Sequence, residues 1–332
     1  MTSSIPPLSQ AYPIEVTFPD VRRFAQGNTG IAYIHSFDSG KPGPHVMVNS
    51  LTHGNEVSGA ITVAGLLDHG LRPRAGKLTL SFANHEAFHS FDAARPDASR
   101  FIDQDLNRVW STDILDNPEK NSAEIRRARE MRPVVTTVDF LLDLHSMHEY
   151  GPPMTVCTTK DKHMGFAQRL GFPTNVICDT GHRDGKRMID YGDFDKDDSP
   201  RDALAVETGH HWQASSVDAA RNTAARFLLL SGIVESGDLP AGWLAPEPGQ
   251  QRFIGVTHPV VATSMDFRFT QDFVGPELVT IARAGTVFAY QDGKPIATPW
   301  DDCVMVMPSV RQLLPGVTVV RLGKVIPTPA PA

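Results

Sequence analysis

Cysteine is scarce, with Cys157, Cys178 and Cys303 the only three in 332 residues. Their odd number and wide spacing exclude a disulfide framework and a cysteine-based metal site. They read as reduced, buried thiols of a cytoplasmic protein. Basic runs are missing too, and the formal net charge is -7. That removes any general electrostatic pull toward nucleic acid or an anionic membrane. Apolar runs such as FLLL at 227–230 fall far short of the roughly 20 residues a membrane-spanning helix needs. The opening MTSSIPPLSQAYPIEV has neither a basic n-region nor an apolar h-region, so no signal peptide is read. No internal repeat is seen.

What the chain does contain is the balance of a soluble globular protein, 41% hydrophobic and 21% charged. Its length allows one large domain or two of ordinary size and needs no covalent staples. Through residue 230 or so, short apolar runs alternate with helical patterns. IAYIHSF (31–37), HVMVNS (45–50), LTLSFAN (78–84), VDFLLDLH (138–145), MTVCTT (154–159), NVICD (175–179) and LAVETG (204–209) read as strands. GAITVAGLLDHG (59–70), SAEIRRAREM (122–131), DKHMGFAQRLG (161–171) and SSVDAARNTAARFLLLSGI (215–233) carry helical periodicity, the last with a Ser-x-x-Asp start at Ser215. This alternation implies an α/β sheet covered on both faces. SGDLPAGWLAPEPGQ (236–250) has no period and reads as a linker. Strand-like pieces then crowd together, with a hairpin turn expected at 291–294. The expected organisation is a catalytic domain over 1–235, a linker over 236–250, a small all-β domain over 251–326 and a disordered tail over 327–332.

One apolar strand, Val46-Met47-Val48, ends in a polar knot holding His53, Gly54, Asn55 and Glu56. Ligand sites of open α/β sheets gather at the carboxyl ends of strands. A histidine and a carboxylate three apart on a turn into a helix can share one ion. A catalytic zinc takes three nitrogen or oxygen ligands and keeps a position open for water. A second strand ends in Asp143-Leu144-His145, with Asp143 and His145 on one face. His145 is a candidate ligand, and Asp143 a supporting or structural carboxylate. An isolated HxxE says little; two such clusters at strand ends say more. His148, His210 and His211 are further candidates, read as pocket or surface histidines. RFIDQDLNRVW (100–110) brings Arg100, Asn107 and Arg108 into one polar stretch suited to a carboxylate, or to ordinary surface ion pairs. Glu207 ends a further apolar strand, where a carboxylate serves as a cap, a pairing group or, beside zinc, a base.

The order HGNE, RxxDxDLNR, DLH and VE-x-G resembles the succinylglutamate desuccinylase/aspartoacylase family, distant relatives of the zinc carboxypeptidases. The resemblance implies a zinc-carboxypeptidase-like mixed sheet with helices on both faces, plus a small C-terminal all-β domain that partly covers the pocket. It implies one zinc ion per chain on His53, Glu56 and His145. It gives Glu207 the role of catalytic base and Arg100 that of polarising the scissile carbonyl, with Asn107 and Arg108 holding a substrate carboxylate. The implied activity is zinc-dependent removal of the acyl group from a small N-acyl amino acid. A metallocarboxypeptidase for small peptides and a non-catalytic zinc- or ligand-binding module stand as alternatives. The partner expected is a small molecule, with no nucleic acid and no membrane, and homo-oligomerisation is left open. Two departures bear on the substrate. Methionines and valines of CVMVMPS (303–309) stand where the mammalian aspartoacylases carry a pocket tyrosine. The arginine that holds a side-chain carboxylate has three candidate matches in Arg183, Arg187 and Arg201.

Overall fold

The computed structural model describes residues 12–246 and 249–329 of the chain. The readings made above for residues 1–11 and 330–332 lie outside them. The apolar, β-branched runs form β1 (Ile34–Asp38), β2 (His45–Ser50), β3 (Lys77–Phe82), β4 (Phe140–Met147), β5 (Met154–Thr158), β6 (Asn175–Asp179) and β7 (Asp202–His210). After them come β8 (Arg252–Val261), β9 (Phe267–Phe269), β10 (Thr280–Ile281), β11 (Val287–Gln291), β12 (Lys294–Ala297), β13 (Cys303–Val306) and β14 (Thr318–Ile326). The helices are α1 (Val57–His69), α2 (His85–His89), α3 (Thr112–Leu115), α4 (Ala123–Val135), α5 (Asp161–Leu170) and α6 (Ala214–Leu230).

An eleven-stranded sheet runs in the order β1-β3-β2-β4-β7-β5-β6-β8-β14-β13-β10. The pairs β3/β2, β2/β4, β4/β7, β5/β6 and β6/β8 are parallel and the others antiparallel, so the sheet is mixed as expected. Alternation along the strands sorts their side chains into two layers. Val46, Val48, Leu142, Leu144, Leu204 and Val206 pack under α1, α5 and α6. Met47, Leu141, Ala203 and Ala205 pack on the opposite face with α4. Helices therefore cover both faces. Among the described residues no helix is long and apolar enough to cross a membrane. The three cysteines are buried and unpaired.

Two local expectations change. The first strand begins at Ile34 rather than at residue 31, because Gly30 (φ 80°) and Tyr33 (φ 61°) turn the chain before it. Helix α6 begins after Gln213, not at Ser215. Glu15 explains the shift: its Oε2 accepts from the Ala214 amide at 3.2 Å, so a distant residue satisfies a donor of the first turn. The Ser216 hydroxyl, meanwhile, donates to the carbonyl of His210.

The Gly- and Pro-rich segment after α6 is fastened to the helices, with Leu239 and Trp243 buried in the layer of α1 and α6. Trp243 lies so close that a Cβ at Gly65 would come within 2.9 Å of its ring. Beyond this segment the chain rejoins the sheet. Strand β8 pairs in parallel with β6, and β14, β13 and β10 extend that edge. Strands β12, β11 and β9 make a separate three-stranded sheet, with the expected hairpin at Asp292-Gly293, both in the left-handed region.

Candidate metal centre and pocket

Strands β2, β4 and β7 are parallel neighbours, so their carboxyl ends share one edge of the sheet. The chain leaves β2 through Leu51, buried with φ 56°, a costly conformation for a branched side chain that bends the backbone into the turn carrying His53 and Glu56. Gly54 lets that turn sit against the protein. A Cβ there would lie 2.4 Å from the Ala87 carbonyl carbon and the Ser99 oxygen, and the Gly54 amide donates to the Arg100 carbonyl at 2.9 Å. The turn and the Arg100 loop are thus joined by a backbone hydrogen bond at close approach.

His53, Glu56 and His145 converge, each offering a ligand atom within 4.8 Å of the others, and all three are buried. His53 Nδ1 is 2.7 Å from Glu56 Oε1, and His145 Nδ1 is 2.9 Å from Oε2. The opposite nitrogen of each ring meets a carboxylate: His53 Nε2 lies 2.9 Å from Asp105 Oδ1 and His145 Nε2 lies 2.8 Å from Asp143 Oδ2. At His145 an Nε2–H given to Asp143 fixes the tautomer that leaves Nδ1 free to ligate, the supporting arrangement of metal-binding histidines, while His53 Nε2 has Arg100 Nη2 at 2.9 Å as well as Asp105. Asn49 Nδ2 and the Thr52 hydroxyl donate to Asp143 Oδ1 at 2.7 and 2.9 Å, so that carboxylate is itself oriented. Asp143 and His145 share a strand face, as expected. Burial alone would raise the pKa of Glu56, but the facing His53 and His145 overcome it and hold the carboxyl well below its ordinary range. Burial likewise works against protonating His145, and Asp143 and Glu56 reverse that, carrying it well above its ordinary value. A buried donor set of two imidazoles and one carboxylate, each imidazole backed by a second carboxylate, fits a divalent transition metal.

Glu207 stands directly across the β4–β7 pairing from His145. Its carboxyl shares the cavity wall with the triad, and its Oε2 is enclosed without a hydrogen-bond partner. Desolvation pushes its pKa up to about 7. Arg100 reaches in from the other side, donating to Glu56 Oε1 at 3.3 Å and to Asp105 Oδ2 at 3.2 Å. Asn107 Nδ2 is 3.5 Å from His145 Nε2, while its Oδ1 accepts from the Met188 amide. Arg108 donates to the Asn107 carbonyl at 2.7 Å and lies 3.7 Å from Asp105. All seven predicted site residues line one cavity of about 490 Å³. His148 lines it too, whereas His210 and His211 are buried behind it rather than at the surface.

Three groups were missed by the sequence reading. Asp105 lay inside the quoted polar stretch, between residues noticed for their cations. Glu124, fully buried in the first turn of α4, accepts from the amides of Ile102, Asp103 and Gln104 and from Asn84 Nδ2, and so shapes the loop bearing Arg100 and Asn107. A helical pattern marks Glu124 as an ordinary first-turn acid, so nothing local distinguishes it. Glu149, just past β4, accepts from Arg311 Nε and Ser309 Oγ, both at 2.9 Å, and from the Tyr12 hydroxyl. It ties the pocket rim at 307–312 to the loop that follows His145.

Fold and site together define an α/β protein with a buried His-Glu-His centre at the carboxyl edge of its sheet. The model of the succinylglutamate desuccinylase/aspartoacylase catalytic domain matches residues 42–230, and the chain belongs to that family. A probable aspartoacylase of Parasynechococcus marenigrum is 37% identical over 108 residues, 30% of this chain and 33% of that protein. The human N-acyl-aromatic-L-amino acid amidohydrolase (carboxylate-forming) is 31% identical over 139 residues, 39% of this chain and 41% of that one. These alignments span only about a third to two fifths of the relatives' lengths. Solved structures share the fold along most of the chain. A succinylglutamate desuccinylase of Vibrio parahaemolyticus gives a TM-score of 0.61 at 15% identity, covering 89% of this chain and 87% of that one. A succinylglutamate desuccinylase/aspartoacylase of Rhodobacter sphaeroides gives 0.63 at 16%, covering 90% of each.

Proposed function

We propose that the chain is a zinc-dependent amidohydrolase that cleaves the amide bond of a small N-acyl amino acid. The observation that carries this reading is the cross-strand pair His145–Glu207, which sets a carboxyl whose Oε2 has no hydrogen-bond partner beside three converging ligand groups. His53, Glu56 and His145 would hold the ion, which when bound supplies Lewis acidity and lowers the pKa of water toward about 7. Glu207 takes the proton of the attacking water and returns it to the departing nitrogen; a group that titrates near neutrality can do both. Arg100 donates to the oxygen that gains charge as the carbonyl becomes tetrahedral. Asn107 and Arg108 grip the substrate carboxylate and so align the bond to be cut. The cavity, about 490 Å³ and lined on the C-terminal side by residues 305–309 at and just past the end of β13, suits a small substrate better than a peptide chain.

The test is Glu207→Gln. Zinc content, measured by elemental analysis, is expected to stay at one per chain while turnover of N-acyl amino acids falls at least about 100-fold. Near-normal turnover in the zinc-loaded variant would refute the role.

A further inference from the structure

Residues 12–15 take no part in the chemistry described so far, yet they form a short strap fastened at both ends. At one end the Glu15 amide donates to the Trp212 carbonyl at 2.9 Å, and Glu15 Oε2 accepts from the Ala214 amide at 3.2 Å. At the other, Tyr12 is only 4% exposed, its ring centroid 4.3 Å from that of Tyr150 and 4.1 Å from that of His210. Its hydroxyl donates to Glu149 Oε2 at 2.5 Å. Burial, and then the facing Glu149, raise the pKa of Tyr12, so the hydroxyl stays a donor throughout the neutral range.

Glu149 is where three parts of the chain meet. Its Oε1 accepts from Ser309 Oγ and its Oε2 from Arg311 Nε, both at 2.9 Å. The Arg311 guanidinium lies over the Tyr12 ring, 4.2 Å from its centroid. His148, Glu149 and Tyr150 line the cavity from the loop after β4, while Met307, Ser309 and Gln312 line it from the segment after β13. The bonds of Glu149 therefore run from one wall of the cavity to the other. The segment after β13 also starts under strain. Met307, the first residue past Val306, has φ 49°, a left-handed conformation that persists only where the surroundings over-determine it. The Ser309 amide gives one hold, donating to the Val319 carbonyl at 2.8 Å. Glu149 gives another, and Tyr12 stands behind Glu149.

We infer that Tyr12 is a positioning residue: through Glu149 it holds residues 307–312 against the wall after β4, so that the N-terminal strap completes the pocket around bound substrate. Tyr12 itself does not line the cavity. The ligand groups and Glu207 stand elsewhere, on the turn after β2 and on β4 and β7. Loosening the latch thus weakens the grip on ground state and transition state alike, which raises KM and leaves kcat. The kinetic part of this inference rests on the amidohydrolase reading; the latch does not.

The experiment uses the zinc-loaded full chain and Tyr12→Phe, which keeps the ring and removes the hydroxyl. The probes are N-acetylaspartate and N-acetylphenylalanine, followed on whichever the wild type cleaves faster. KM is expected to rise at least about 10-fold, with kcat within about 2-fold of wild type. Ser309→Ala removes another donor to the same carboxylate and should raise KM as well; in the double variant the second loss should add less than it does alone. Hydrogen exchange read by mass spectrometry should quicken over residues 307–312 in either variant and stay as in wild type over 140–147. Unchanged KM together with unchanged exchange at 307–312 would overturn the inference. So would a loss confined to kcat, or exchange quickened evenly across the sheet, which marks general destabilisation. If the wild type cleaves neither probe nor any other N-acyl amino acid offered, exchange at 307–312 still decides on the latch, and only the amidohydrolase reading falls. If Tyr12→Phe does not fold, Ser309→Ala carries both measurements.

Discussion

Glu207 is predicted to cost the metal-free protein stability at neutral pH, and Glu207→Gln to recover most of it. Desolvation carries this carboxyl from its ordinary 4.5 up to about 7. Each tenfold change in proton affinity is worth about 1.4 kcal/mol, so the ionised form costs the fold about 3 kcal/mol. Below pH 4.5 the carboxyl is protonated in both folded and unfolded chains and contributes nothing. Between 4.5 and 7 the unfolded chain has released the proton that the folded chain still holds, so stability falls as pH rises. Above pH 7 the penalty is complete and constant. Glutamine avoids it but leaves an amide in the place where Oε2 has no partner, a loss of about 1 kcal/mol.

The expected net effect is therefore a variant more stable than wild type by about 2 kcal/mol at pH 8 and by nearly nothing at pH 5. Urea unfolding of chelator-treated protein at the two pH values measures it. Repeating it with zinc adds a control, since positive charge at His53, Glu56 and His145 eases ionisation of Glu207 and shrinks the gain. A difference that does not change with pH, or a variant less stable at pH 8, would show that Glu207 is not the desolvated acid described. Greater stability beside a turnover loss is the pattern of a residue held for chemistry against the fold.

Three further outcomes follow from the supporting groups. Asp143→Asn removes the carboxylate behind His145 and is expected to weaken zinc affinity about 10- to 100-fold in a chelator competition, with little change in the far-ultraviolet dichroism. Glu124→Gln turns an acceptor toward the Asp103 and Gln104 amides into a donor; it should cost about 2 kcal/mol in unfolding and speed hydrogen exchange across residues 100–108. Gly54→Ala drives a methyl into backbone atoms at 2.4 Å, which cannot give way as side chains do, and should cost about 3 kcal/mol, read as a lowered Tm.

The catalytic edge was legible because its residues obey short-range rules. Asp143 and His145 share a face through strand alternation, and His53 and Glu56 share a turn, so four positions follow from spacing once the strands are placed. The cap of α6 was not legible, because its partner Glu15 lies 199 residues away in sequence. Glu124 and Glu149 escaped for the same reason: each is an ordinary acid by local pattern, and each acquires its task from loops that meet it only in three dimensions. The three candidate arginines show the limit most sharply. Arg183, Arg187 and Arg201 were equivalent on the page of sequence, and only the placement of Asp179 and Asp190 removes Arg187 from contention.

The C-terminal strands matter to the site because they continue its sheet. A cover tethered by a linker would meet the catalytic edge through side chains alone, and its position would drift with them. Here β8 pairs in parallel with β6, and β14 and β13 continue the same sheet through backbone pairing, with irregularities in register at Thr318/Val320 and Leu322/Gly323 on β14. Glu149 adds a second tie at the rim, joining residues 309 and 311 to the loop beyond β4.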